Sequence, residues 1–177
     1  MILLAIETSC DETSVALLKR VRGKTVRFEV LSHTILSQID IHKEYGGVFP
    51  ALAKREHART ITQLIAESLN SADLLVERAR LAPLPMAVKK KLGVLLEREE
   101  EMLRALTVLF EGVQKPKIDA IAVTSGPGLE PALWVGVNCA MALHLVWDIP
   151  VYPINHMEGH IVASLLSKKG DFYEIPK

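Results

Sequence analysis

Three runs near the start of the chain have the apolar pattern of β-strands. The stretch "ILLAI" (2–6) is apolar at every position, as expected for a central strand buried on both faces. The runs "TSVALLK" (13–19) and "TVRFEVLSHTIL" (25–36) follow it after the short turns "ETSCDE" and "VRGK". Strands joined by short turns pair with their neighbours, so this pattern predicts a three-stranded meander.

The remainder of the chain alternates helical and strand patterns. The segment "HKEYGGVFP" (42–50) is predicted to be a loop because of its glycines and proline. The order β-β-β-α-β-α-β-α favours an α/β fold, in which helices flank a mixed sheet and strands joined through a helix run parallel. The sequence predicts helices at 51–69, 95–111, 130–147 and within 155–166, and strands at 118–124 and 151–155.

One segment does not fit this alternation. Residues 71–94 mix charged clusters with "APLP" and "KKKLG", which indicates a surface insertion. With the charged helix that follows, the helical insertion is predicted at about 71–112. The α/β unit is predicted to span residues 1–170. The tail at 171–177 ends where another strand could begin, so the chain is expected to be one unit of a longer protein.

The composition fits a folded domain without a strong overall charge. The chain has 177 residues, of which 49% are hydrophobic, enough to bury a core. Its 21 basic and 21 acidic side chains cancel, so any contact with nucleic acid must be local and no attraction to an acidic membrane is expected. Two separated cysteines, no signal peptide and no bilayer-length apolar stretch favour a cytoplasmic protein.

Two histidines lie four positions apart in the last predicted helix. At about 100° per residue, His156 and His160 fall on one side of it. Side chains at i and i+4 can reach one ion, but two ligands rarely hold a metal alone and histidine pairs on helices are common. The spacing leaves both a metal site and plain exposure open. The other side carries the apolar residues expected to face the core: Met157, Ile161, Val162, Leu165 and Leu166.

Glu158 does not complete a metalloprotease motif. In that motif the glutamate directly follows the first histidine, whereas Glu158 stands two positions after His156. Asn155, followed three residues later by Glu158, matches the capping-box pattern with Asn155 as the N-cap. We therefore assign Glu158 to helix initiation.

Two turns at the expected carboxyl edge of the sheet carry candidate chemistry. "SGPGLEP" (125–131) has glycines that let backbone N–H groups approach an anion, although a tight turn is the more ordinary explanation. "ETSCDETS" (7–14) packs three carboxylates and four hydroxyls into one turn, more acid than a plain hairpin needs. Near the start of the first predicted helix, Lys54, Arg55 and His57 fit either anion contacts or a solvated surface.

Five stretches, taken together and in this order, are specific: "LLAIETSCDETSVAL", "YGGVFPALAKREH", "IDAIAVTSGPGL", "WVGVNCAMAL" and "INHMEGHI". They closely resemble the amino-terminal half of the universal tRNA threonylcarbamoyladenosine synthase family, called TsaD in bacteria and once described as Gcp-like glycoproteases. The resemblance implies one RNase H-like lobe of a protein similar in fold to actin and Hsp70 (the ASKHA fold), with the ligand between two lobes. It also implies transfer of threonylcarbamoyl from threonylcarbamoyl-adenylate to a tRNA adenosine.

Carried over by position, the resemblance implies that His156 and His160 bind one divalent ion, iron or zinc. It implies that Asp11 and Glu12 position or activate the reactants. The family's third metal ligand, an aspartate, lies in its carboxyl-terminal half, so little or no transferase activity is expected of this chain alone. The residues that the resemblance implies for the substrate pocket are Thr8, Ser9, Ser125, Gly126, Pro127 and Gly128.

The resemblance further implies partners: a carboxyl-terminal lobe, tRNA, a TsaB-like paralogue and a TsaE-like accessory ATPase, with a homodimer also possible. Two other functions stay open. One is a non-catalytic scaffold paralogue of the enzyme, although a scaffold has no physical use for a histidine pair on an open face. The other is a carbamoyltransferase lobe of the hydrogenase-maturation type, which shares the lobe design and a similar histidine motif.

Overall fold

The computed structural model describes residues 1–23, 25–169 and 172–174. Strand β1 (Ile2–Glu7) pairs antiparallel with β2 (Glu12–Val21). Strand β2 in turn pairs antiparallel with β3 (Arg27–Ser37), with a register shift between Leu17 and Leu18. The predicted meander is therefore confirmed.

The second half of the sheet is parallel. Strand β4 (Ala120–Gly126) runs parallel to β1, and β5 (Val151–Asn155) runs parallel to β4. Helix α5 (Glu130–Trp147) connects these two strands, as the sequence predicted. The strand order β5-β4-β1-β2-β3 builds the predicted mixed sheet of one RNase H-like lobe, with the carboxyl ends of β1, β4 and β5 at one edge.

Two short strands extend the sheet at its other side. Strands β6 (Ser167–Lys169) and β7 (Phe172–Glu174) form an antiparallel pair, and β7 lies antiparallel to β3. Part of the predicted tail thus joins this sheet, whereas 170–171 and 175–177 lie outside the described residues. The predicted boundary at residue 170 stays a prediction.

Helices cover one face of the sheet. Helix α2 (Pro50–Ser71) packs against α5; α2 contacts β2 and β3, and α5 contacts β1, β4 and β5. The inward side chains of β1 and β2 are at most 2% exposed and belong to the main hydrophobic core: Leu4, Ile6, Val15 and Leu17. Because side chains alternate along a strand, those between them point to the opposite face, where they stay partly accessible.

The insertion contributes to this core. It contains helices α3 (Met86–Leu95) and α4 (Glu100–Gly112), where the sequence predicted one helix at 95–111. Its fully buried side chains are Leu92, Leu96, Met102, Leu106 and Phe110. The interpretation of 71–94 as purely surface was wrong at Leu92, because the helical period separates the lysines from an apolar side that packs inward.

Two further features complete the chain. A short helix α1 (Ile39–Lys43) lies at the start of the segment predicted to be a loop, and the last helix, α6 (His156–Leu165), begins directly after β5. Among the described residues, no helix is both long and apolar enough to cross a membrane.

Candidate metal centre

An open cavity of about 590 Å³ lies at the carboxyl edge of the sheet. It brings together residues from β1, the acidic turn, β3 and α6 that are far apart in the sequence. The described residues that line it include no lysine or arginine, so its charge favours a cation over an anion. Its titratable lining residues, apart from Cys10, are Glu7, Asp11, Glu12, His33, His156 and His160.

The two histidines of α6 converge. Asn155 caps the helix as predicted, because its side-chain oxygen accepts hydrogen bonds from the N–H groups of Met157 (2.9 Å) and Glu158 (3.1 Å). One turn apart, His156 and His160 place their Nε2 atoms 3.0 Å from each other, with the rings at 89°. This separation is a hydrogen-bond distance between the two rings, and two imidazole nitrogens this close can also be ligands of one metal ion.

The apolar side of α6 does not face the core. Met157 is 53% exposed and Ile161 is 59% exposed, and no residue of the helix is buried. The prediction that this side packs inward was wrong. Helical periodicity separates an apolar from a polar side, but it does not say which neighbour covers the apolar side.

The carboxylate of Glu7 contacts Nδ1 of His156, the ring nitrogen that does not face His160. The Oε2 atom of Glu7 lies 3.2 Å from Nδ1 of His156 and 2.5 Å from the hydroxyl of Thr124, and Oε1 accepts the N–H of Ser9 at 2.5 Å. Burial would raise the pKa of Glu7, but hydrogen bonds from Ser9, Thr124 and His156 outweigh it and hold the pKa below its ordinary 4.5. Glu7 is therefore ionised at neutral pH.

Glu7 was not among the predicted site residues. It belongs to the acidic stretch 7–14, but Asp11 and Glu12 were chosen as the candidate acids. A signal was present: Glu7 ends an apolar strand at the edge where open α/β sheets bind ligands. His33 and Ile35, on the outer part of β3, also line the cavity without having been predicted.

The acidic turn places its predicted residues in the same cavity. Ser9, Asp11 and Glu12 line it, and the hydroxyl of Ser9 lies 3.2 Å from Nδ1 of His156. Cys10 lies beside them. Partial burial and the neighbouring Asp11 raise the pKa of the Cys10 thiol, which keeps it protonated at neutral pH and makes it a weak nucleophile.

The other predicted pocket residues lie behind this turn. Thr8 is 1% exposed and donates its hydroxyl to the carbonyl of Ala132 at 2.9 Å. Gly128 packs so closely on the turn that an added Cβ would lie 2.7 Å from the carbonyl oxygen of Ser9. Neither Thr8 nor the loop 125–128 is among the cavity-lining residues. Thr8 joins the turn to α5, and Gly128 contacts the turn at Ser9.

The remaining residues of that loop take individual positions. Ser125 donates its hydroxyl to the carbonyl of Ile154 at 3.4 Å. Gly126 has φ of 147°, a backbone conformation that favours glycine, and its peptide bond to Pro127 is cis. The substrate-binding role of these residues stays a prediction.

The histidine of α2 is buried in a polar network. His57 is 0% exposed; its Nε2–H donates to the carbonyl of Cys10 (3.1 Å) and its Nδ1 accepts from the hydroxyl of Thr13 (2.7 Å). Gln38 connects His57 to the equally buried His42, at 3.2 Å from each ring. His57 is therefore neither an anion contact nor a solvated residue; it fixes the acidic turn from the core side.

Lys54, in the same segment, also has a protein partner. Lys54 pairs at 2.7 Å with the nearly buried carboxylate of Glu99 in the insertion. In the charged segment that follows residues 71–94, Glu99 therefore faces Lys54 and not solvent.

The histidine pair lacks a complete ligand set within the described part of the chain. Over residues 1–23, 25–169 and 172–174, no group of three or more histidine, cysteine, aspartate or glutamate side chains is placed to hold a metal ion. Two nitrogens that share one focus therefore fit part of a metal site, which needs at least one further ligand.

Sequence comparison decides the family. The model of the family described as "TsaD: tRNA N6-adenosine threonylcarbamoyltransferase" matches residues 29–80 and 99–176, well over half of the chain. The chain belongs to the TsaD family. The unmatched residues between the two segments, 81–98, fall within the insertion and include α3.

Curated relatives are considerably longer than this chain. The tRNA N6-adenosine threonylcarbamoyltransferase of Staphylococcus carnosus (strain TM300) is 39% identical over 171 residues, which are 97% of this chain and 37% of the relative. The protein of the same name from Staphylococcus epidermidis (strain ATCC 12228) is 40% identical over 94% of this chain and 36% of the relative. The chain thus spans little more than a third of these TsaD proteins.

Solved structures give weaker likenesses. YeaZ from Pseudomonas aeruginosa has 18% identity and a TM-score of 0.45, covering 88% of this chain and 45% of that chain. Thermus thermophilus RuvC has 9% identity and a TM-score of 0.43, covering 93% and 69%. The fold assignment rests on the strand order and not on these likenesses.

Proposed function

We propose that this chain is the amino-terminal lobe of a tRNA N6-adenosine threonylcarbamoyltransferase. In that reaction the exocyclic amine of a tRNA adenosine forms a bond to the carbamoyl carbon of threonylcarbamoyl-adenylate. The bond from this carbon to the adenylate oxygen breaks, AMP leaves, and the amine gives up a proton. The proposal combines membership of the TsaD family with a cavity whose residues suit this chemistry.

One observation carries the proposal: two imidazole nitrogens, on His156 and His160, meet 3.0 Å apart at the wall of an acidic cavity. Imidazole suits both iron and zinc. When bound, such an ion would supply a positive charge that holds and polarises an oxygen of the adenylate. Among the described residues, His156 and His160 would be its ligands, and we assign the third ligand to the part of TsaD proteins that this chain does not span.

We propose that the acidic turn orients the attacking amine and accepts its proton. Ionised carboxylates are acceptors without protons of their own, so Asp11 and Glu12 are suited to orient the attacking amine and to take its proton. Ser9 reaches into the same cavity. Thr8 and the loop 125–128 are proposed to act on the substrate mainly by holding this turn in place.

The lobe alone is proposed to have little or no transferase activity. The cavity is open to water, and an ion with two imidazole ligands is under-ligated, which weakens the electrostatic stabilisation that a closed site gives. A second lobe, tRNA, a TsaB-like paralogue and a TsaE-like ATPase are the partners we propose for the complete enzyme. A cytoplasmic location would agree with a tRNA substrate.

The test compares metal content and adenylate binding in three forms of the chain: the native form, His156→Ala with His160→Ala, and His144→Ala. His144 is an exposed histidine on α5, outside the residues that line the cavity, and serves as the control. With the remaining carboxyl-terminal part of a TsaD relative present to supply the further ligand, we expect the native chain and the control to retain iron or zinc and the double variant to lose it. Equal metal content in all three would remove the site.

Transfer is then measured with the segment that completes the protein. Threonylcarbamoyl-adenylate and tRNA should give product when the carboxyl-terminal half of a TsaD relative is supplied, and the double variant should not support it. Full transfer by the double variant would contradict the role of the two histidines, and no transfer by any form would favour the scaffold function instead. Full transfer by the lobe alone would contradict the proposed incompleteness.

A further inference from the structure

We propose that Glu7 is a positioning residue that fixes the tautomer of His156, so that the Nε2 lone pair of this histidine points at the metal. The inference deepens the proposed function and rests on it. It concerns a residue that does not itself reach the point where the two Nε2 atoms meet.

Glu7 is held rigidly. It is the last residue of β1, which lies between β2 and β4 in the interior of the sheet. One carboxylate oxygen accepts the N–H of Ser9 and the other accepts the hydroxyl of Thr124, both at 2.5 Å. A carboxylate fixed by two short hydrogen bonds offers its remaining lone pairs in a defined direction.

That direction is toward His156. Its Nδ1 atom lies 3.2 Å from Oε2 of Glu7. Both oxygens of Glu7 already accept a hydrogen bond from another group, so the carboxylate acts here as an acceptor, and it pairs with Nδ1 of His156 when that nitrogen carries the proton. A neutral imidazole has one N–H, so Nε2 is then left with a lone pair directed toward His160, 3.0 Å away.

Of the two neighbours of Nδ1, Glu7 is the one that determines the tautomer of His156. The other group near Nδ1 is the hydroxyl of Ser9, at 3.2 Å. A hydroxyl can donate or accept, so Ser9 alone would allow either tautomer. Carboxylates behind metal-binding histidines orient the ring and raise its basicity, and their loss typically weakens metal binding by about 10–100-fold.

The first experiment needs no variant and no metal. The ¹⁵N NMR signals of His156 in the native chain, recorded at about pH 8, report which ring nitrogen carries the proton. We expect the proton on Nδ1. A proton mainly on Nε2 would overturn the inference, whatever the outcome for the transferase.

The second experiment compares Glu7→Gln with Glu12→Gln, each titrated with Zn²⁺ against a chromophoric chelator. Both variants remove one negative charge from the same cavity, but Glu12→Gln leaves the contact with His156 intact. A glutamine at position 7 can donate as well as accept. We expect a mixed tautomer of His156 and zinc affinity lowered by about 10–100-fold in Glu7→Gln, and a clearly smaller loss in Glu12→Gln.

The outcomes separate this inference from the proposed function. Equal losses of zinc affinity in the two variants, with the tautomer unchanged, would overturn the role of Glu7 and leave the histidine site standing. If the native chain binds no zinc or iron even with the remaining carboxyl-terminal part of a TsaD relative present, the proposed metal site fails, and the NMR measurement still decides the tautomer. If Glu7→Gln does not fold, Glu7→Asp, a shorter carboxylate, replaces it and is expected to show the same two changes.

Discussion

Two histidine pairs lie on either side of the turn at residues 8–12, and they are held in opposite ways. His42 and His57 lie on the core side, 3% and 0% exposed, and each ring nitrogen has a protein partner. His156 and His160 lie on the cavity side. Their Nε2 atoms face each other at 3.0 Å.

The difference separates a structural role from a binding role. In the buried pair, donors and acceptors match in one neutral arrangement, so the rings hold the turn to α2 and have no nitrogen left for a ligand. In the open pair, Glu7 accounts for one nitrogen of His156, and the facing nitrogens compete for one position. Both pairs consist of histidines, and they differ in which groups of the surrounding chain form hydrogen bonds with each ring nitrogen.

The largest expected effect is on stability and tests the buried pair. His57→Ala should lower the free energy of unfolding by about 3 kcal/mol, because it leaves a cavity and deprives Thr13, Gln38 and the Cys10 carbonyl of a partner. The control His160→Ala, at an exposed position, should stay within about 0.5 kcal/mol of the native chain. Urea unfolding measures both. Equal losses would mean that the two pairs do not differ as described.

Adding a methyl group at Gly128 or at Gly159 compares the packing on the two sides of the turn. In Gly128→Ala the added Cβ would lie 2.7 Å from the backbone oxygen of Ser9, and we expect a loss of about 2 kcal/mol from overpacking. Gly159, on the cavity side of α6, has nothing within 4 Å of an added Cβ. Gly159→Ala should stabilise that helix by up to about 1 kcal/mol. Thermal unfolding that ranks the two variants in the reverse order would contradict this packing.

The cap of α6 tests how the open pair is held. Asn155→Ala should cost about 1 kcal/mol, because two N–H groups of the first turn lose their acceptor. Since no residue of α6 is buried, the loss should appear as faster amide hydrogen exchange at Met157 and Glu158 rather than as global unfolding. Ser164→Ala, an exposed change in the same helix, is the control and should leave this exchange unchanged. Unaltered exchange in Asn155→Ala would contradict the cap.

The smallest expected effect is on the pH dependence of stability. Burial lowers the pKa of His57 below its ordinary 6.5, although the carbonyl of Cys10 and the charges of Glu7 and Asp11 oppose this. The unfolded chain therefore takes up a proton more readily than the folded one. The contribution of neutral, buried His57 to the free energy of unfolding is fully present above about pH 6.5. It is lost as the pH falls toward the lower pKa that His57 has in the folded chain.

The measurement compares urea unfolding of the native chain and of His57→Gln at a series of pH values between neutral and mildly acidic. The native chain should lose stability on acidification in this window, and the variant should show a shallower dependence. Glu7 does not interfere, because its lowered pKa places its own effect below about pH 4.5. Parallel curves would show that the burial of His57 does not control this slope.

Features that depend on local order were predictable from the amino-acid sequence. The apolar runs and the short turns between them predicted the meander, and the helical period predicted α5 and placed His156 and His160 on the same side of α6. The cap at Asn155 followed from residues within one helical turn. Such signals are readable because the groups that interact are near neighbours in the chain.

Tertiary structure decided the features that depend on distant segments. The contact of Glu7 with His156 joins residues 149 positions apart, and no spacing rule predicts it. The burial of His57, the packing of Leu92 in the core and the exposure of Ile161 likewise depend on which surface meets which. A pattern defines the apolar and polar sides of an element, but the neighbour that covers each side is chosen by the packing of the whole chain.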